Sequence, residues 1–209
     1  MNIIKLNIKK VINSNFIFMT LIALGFGILS ILTADNNANS LLYTRTSVIL
    51  KGYVFLFIVF ANELSKSLLQ MEKISKKVEW LLANGVSVKK IIIINSLTLY
   101  LATTILLLPL IVGAIILLDD INLLNIADYY VYTFICGIII NTDFMYIKNM
   151  NRFRMVTLWV SLLYMVTFIL EIAMIESLFI YGVKYILALV LITLLYKATT
   201  KERITSAYY

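Results

Sequence analysis

An all-α membrane protein with six membrane-crossing helices is the fold class this sequence predicts, and three observations predict it. Hydrophobic residues make up 62% of the 209 positions, well above the fraction ordinary in soluble domains. Several apolar runs approach or exceed the roughly 20 residues that a helix needs to cross a bilayer. The lysines and arginines gather on alternate connections between these runs, which is the asymmetry that membrane topology imposes. A soluble bundle would need polar outer faces on its helices, and residues 105–118 have none.

The elements follow in order. Met1 to Ile12 interleaves Ile3, Ile4, Leu6 and Val11 with Lys5, Lys9 and Lys10, the pattern of a short helix on a membrane surface. The first span runs from about Phe16 to Thr33. Its basic start suits a secretory signal peptide, but the run is long for one and no small-x-small cleavage site follows, so it reads as a retained helix. Polar residues 34–47, with Asp35 and Arg45, form an outer loop. The second span covers about Val48 to Leu69, with Lys51 snorkelling outward near its entry and Glu63 and Lys66 near its exit. The third, about Val88 to Leu118, is too long for a perpendicular crossing; tilt or a cytoplasmic extension absorbs the excess, and Pro109 offers a kink. Asp119 and Asp120 end it outside. The fourth, about Ile126 to Asn141, carries Tyr129, Tyr130 and Tyr132 as an aromatic belt. Residues 143–154 form a cytoplasmic loop with Lys148, Arg152 and Arg154. The fifth span is about Met155 to Met174, the sixth about Leu178 to Tyr196, and Lys197, Lys201 and Arg203 close the chain.

Placing both termini in the cytoplasm of a multi-pass plasma-membrane protein puts nearly all the basic residues inside, with Asp35, Asp119, Asp120 and Glu176 outside. The net charge of +7 is therefore a topology signal and not a nucleic-acid face. With no repeat and no low-complexity segment, residues 1–209 read as one transmembrane domain.

Between the second and third spans lies a charged stretch, residues 72–90. Ile74, Val78, Leu81 and Leu82 share one helical face at i, i+4, i+7 and i+8, while Lys73, Lys76, Lys77 and Asn84 lie opposite. Ser75 suits an N-cap, Asn84-Gly85 a left-handed exit, and Ser87 the cap of the next helix. Such a helix either anchors to lipid headgroups through its lysines or docks into a partner as a coupling helix. Glu79-Trp-Leu-Leu-Ala-Asn-Gly-Val-Ser87, followed by Lys89-Lys90-Ile91, resembles the first cytoplasmic loop of type-2 ABC transporter permeases. Gly85 stands where that family often has Pro. The resemblance implies a permease subunit that pairs with a second permease chain as a homodimer. Two copies of a separate ABC ATPase would bind ATP and Mg, dock on Ile74, Val78, Glu79, Leu81, Leu82 and Gly85, and drive export of a peptide, drug or lipid-like substrate.

The chain's own chemistry is compatible with that division of labour. It has no histidine, one cysteine (Cys136) and no phosphate-cradling glycine loop, so no His/Cys metal centre or nucleotide site is expected within it, and no catalytic pair points to an enzyme. Gly25-Phe-Gly27 sits mid-span and reads as a close helix contact. Glu171 and Lys184 are charges inside spans, where charge is costly. They either pair across the hairpin between the last two spans or face a substrate route. A second reading of the whole is a non-transporting immunity or scaffold protein whose 72–90 helix merely lies among membrane lipids. Copurification with an ATP-binding subunit separates the two.

Overall fold

Helix is the only regular structure among the described residues of this computed structural model, which are 7–9, 12, 14–33, 45–74, 76–117, 123–146, 153–173, 178–198, 200 and 202. Seven helices are delimited there: α1 (Ser14–Thr33), α2 (Arg45–Ile74), α3 (Lys77–Ala83), α4 (Val88–Leu117), α5 (Leu123–Tyr146), α6 (Phe153–Ala173) and α7 (Leu178–Ala198). A further helical turn covers residues 7–9. Two segments are long and apolar enough to cross a membrane by length and composition, Val48–Leu68 and Val88–Ile116. Shorter apolar stretches run over Phe16–Leu29 and Leu158–Thr167.

Several helices overrun the apolar runs that announce them. Residues Arg45 to Ser47, expected in a loop, form the first turn of α2, which continues to Ile74. Asp143, also expected in a loop, lies inside α5. The reason is that apolar length measures the stretch that shuns water, whereas a helix satisfies its own backbone and continues past that stretch. Residues 34–44, expected as the outer loop, lie outside the described set.

α2 is the hub, packing most extensively on α5 and α4 and also on α6 and α1. Its Tyr53, Phe57, Ile58 and Leu64 are almost fully buried among Leu99, Leu106 and Leu107 of α4 and Tyr129 and Ile140 of α5. α1 lies on α4, where Gly27 faces Leu110 so closely that a Cβ there would sit 2.0 Å from a Leu110 methyl. Gly27 thus makes the close contact expected of it. A polar layer crosses the core deeper in: Asn141 of α5 donates from Nδ2 to the Ile92 carbonyl (3.1 Å) and the Ser96 hydroxyl (2.8 Å) of α4. Outward, the bundle is apolar, with Phe18, Leu21, Phe26, Leu158, Ile186 and Leu194 all more than half exposed.

Candidate functional site

Two places concentrate the residues that the sequence singles out. The first is α3, a seven-residue helix between the two longest helices. It is separated from α2 by Lys76, whose φ of 51° is left-handed. The helix begins at Lys77 with Lys76 as its N-cap, where Ser75 was expected; Ser75 itself lies outside the described residues. The exit is a Schellman turn. Gly85 has φ +78°, its N–H donates to the Leu82 carbonyl (3.2 Å), and the Val86 N–H donates to the Leu81 carbonyl (3.0 Å). Ser87 then caps α4, its hydroxyl accepting from the Lys90 N–H at 3.4 Å.

The apolar face of α3 is occupied by its own chain. Val78 (1% exposed) and Leu82 (6%) are buried against Ile91 and Ile92 of α4 and Phe144 and Met145 of α5, with Leu81 partly buried beside them. The expectation that Val78 and Leu82 enter a groove on a partner is corrected accordingly. Periodicity identifies an apolar face but not what covers it. Ile74 closes α2 instead of opening α3, and its side chain lies outside the described set. Glu79 is half-buried in the first turn of α3, where a negative charge suits the helix dipole. What α3 turns outward is Trp80, 65% exposed. Lys77 donates to the side-chain oxygen of the buried Asn7 (3.1 Å), tying the N-terminal turn to this helix.

The second place is a cleft of about 280 Å³ between α5, α6 and α7. Ile135 and Ile139 of α5, Val160 and Leu163 of α6 and Ala188 and Leu191 of α7 contribute to its apolar wall. Trp159, Leu163 and Leu187 at its rim are about half exposed or more, so it opens between α6 and α7. A wall of this composition accepts apolar ligands.

One end of the cleft is closed by a buried ion pair. Lys184 Nζ lies 2.9 Å from Asp128 Oδ2 and 3.2 Å from Oδ1, and the Tyr185 hydroxyl donates to the same carboxylate. The Lys184 ammonium also stands 4.3 Å from the Tyr132 ring centroid. Lys184 was expected to pair with Glu171 of α6. Its described partner is Asp128 of α5, and the Glu171 side chain lies outside the described residues. Asp128 escaped the sequence reading, although its place two residues into the fourth apolar run, beside the tyrosines, was a usable signal. On its other side Asp128 borders a small space with Lys51 and Tyr129. Lys51 does not snorkel: it is 7% exposed, and its carbonyl accepts a 2.6 Å bond from the Tyr164 hydroxyl of α6.

The other end of the cleft holds Asp143, two residues beyond the predicted fourth span. Among the described residues it has no ion-pair or hydrogen-bond partner, and burial alone pushes its carboxyl up to about 6. The cleft therefore has a paired charge at one end and, at the other, a carboxylate with no partner among the described residues. Cys136 lies in the wall between, buried. Among the described residues no group of His, Cys, Asp and Glu side chains is placed to hold a metal ion. No family model, curated protein or solved structure matches the chain.

Proposed function

We propose that this chain is the transmembrane permease subunit of an ATP-driven exporter, crossing the plasma membrane six times with both termini in the cytoplasm. It would work as a homodimer with two copies of a separate ATPase subunit, which supply ATP and Mg chemistry, and move an amphipathic or hydrophobic substrate outward. The apolar exterior of α1, α6 and α7 supports a lipid environment, because a surface of that kind in water would drive aggregation.

One observation carries the reading: α3 is seated by Val78 and Leu82 directly on α4 and α5. A push on its outer face passes without slack into two long helices, one of which walls the cleft. The outer face offers an aromatic anchor, Trp80, with Glu79 beside it. Aromatic anchors at interface centres typically cost about 2 kcal/mol or more when truncated. Trp80→Ala is accordingly expected to lose most of the ATPase that copurifies with the wild type from native membranes, while still inserting. Equal recovery of ATP-hydrolysing activity from both would overturn the assignment.

The burial of Val78 and Leu82 within the chain also favours a second reading, a non-transporting immunity or scaffold protein. There α3 is a structural clip, and Trp80, Lys77 and the preceding lysines Lys73 of α2 and Lys76 of the break rest among lipid headgroups. In that case no ATPase copurifies, and replacing the three lysines does more harm than Trp80→Ala.

A further inference from the structure

The cleft between α5, α6 and α7 has a chemical polarity that its apolar wall conceals. Two cationic or anionic side chains line it, Lys184 and Asp143, and they differ in one respect. Lys184 is 3% exposed and held by both oxygens of Asp128, with the Tyr132 ring beneath it. It has no charge left to offer a ligand. Asp143 has no such partner among the described residues, and it sits largely out of water at the opposite end. Tyr132 and Asp143 lie about 16 Å apart along α5, at about 1.5 Å per residue. The space between them is lined by Ile135, Ile139, Leu163, Ala188 and Leu191.

We propose that this cleft binds an amphipathic monocation, with its apolar body along the α5–α6–α7 wall and its cationic head on the Asp143 carboxylate. A carboxylate with no described counter-charge, set in a low-dielectric cleft, attracts a cation and repels an anion of the same shape. The apolar body gains by leaving water for an apolar wall. The closed end, built from Asp128, Lys184, Tyr185 and Tyr132, stops the tail. That the bound cation is exported cargo rests on the permease reading; that it binds rests on the cleft alone.

The wall contains its own reporter. Trp159 lines the cleft, and the only other tryptophan is Trp80, so Trp80→Phe leaves a single indole, at the site, to be excited selectively beyond the tyrosine band. The probe is ω-bromoundecyl-trimethylammonium, whose bromine quenches indole at short range, titrated into the protein in zwitterionic lipid nanodiscs. ω-Bromoundecanoate and ω-bromoundecanol serve as the anionic and neutral counterparts. Saturable quenching is expected for the cation, at least about tenfold tighter than for the carboxylate. Asp143→Asn is expected to remove that preference while leaving quenching by the alcohol unchanged, which reports an intact cleft. Asp143→Glu retains the preference. Ala188→Phe, which fills the wall, abolishes saturable quenching by all three. Quenching that rises linearly with the probe content of the lipid, or equal cation affinity in Asp143→Asn and wild type, overturns the site. Saturable, Asp143-dependent binding in a chain that recovers no ATPase leaves the site standing and removes the permease reading.

Discussion

Lys184 and Asp128 carry the most consequential single contact in the molecule, because each is costly to bury without the other. Tyr185 donates a third bond to the same carboxylate, so the lysine and the hydroxyl together satisfy it. Lys184→Met keeps the volume but strands Asp128 with Tyr185 alone; such a change is expected to cost about 3–5 kcal/mol. The double variant Asp128→Asn with Lys184→Met removes both charges of the pair and should regain most of that loss. Denaturant titration in detergent micelles reads both values, and a double variant no more stable than the single would refute the pairing. The partner was hard to see from sequence. Lys184 stood out as a charge in an apolar run, but only helix pairing across the bundle shows that it meets Asp128 of α5. The α6 candidate, Glu171, was the nearer guess along the chain.

α3 is bracketed by two left-handed residues of opposite suitability, Lys76 with φ 51° and Gly85 with φ 78°. A side chain in that region costs roughly 1–2 kcal/mol, and glycine escapes the penalty. Lys76→Gly should thus be neutral or stabilising at the α2–α3 break. Gly85→Val should destabilise the exit turn, although the space around a Cβ there is open, because a β-branched residue resists this φ. The expected readout is faster amide exchange over residues 77–86 in Gly85→Val and slower exchange in Lys76→Gly. The same rate in Gly85→Val as in the wild type would show that the Schellman bonds do not hold the helix. The glycine exit and the serine cap were legible, since each needs only local chemistry: Gly85 supplies φ, and Ser87 supplies an acceptor. The start of the helix was not, because nothing in a lysine announces a left-handed bend.

At the scale of the whole chain, the proposed six-span topology makes a direct claim about sidedness. Leu123, 79% exposed at the start of α5, is expected outside, and Asn84, exposed after α3, inside. An impermeant maleimide applied to intact cells should label Leu123→Cys and leave Asn84→Cys unlabelled until the membrane is opened. Cys136 is buried and adds little background. Labelling of Asn84→Cys from outside would reverse the orientation and detach α3 from any cytoplasmic ATPase.

Composition and periodicity by themselves determined the helical class, because apolar runs of such length leave few alternatives to helix. They also located an amphipathic turn between the two long helices, from the spacing of Val78, Leu81 and Leu82. Only the tertiary structure decided where that face goes. Ile91, Ile92, Phe144 and Met145 come from helices separated by some fifty residues of chain, and they converge to cover Val78 and Leu82, turning Trp80 outward instead. The same convergence gave Lys184 to Asp128, drew Lys51 inside and set Asp143, with no partner among the described residues, at one end of a cleft. The physical reason is common to all four. A side chain's period along its helix follows from local geometry, but its partner depends on how several helices pack, and no single stretch of sequence encodes that arrangement.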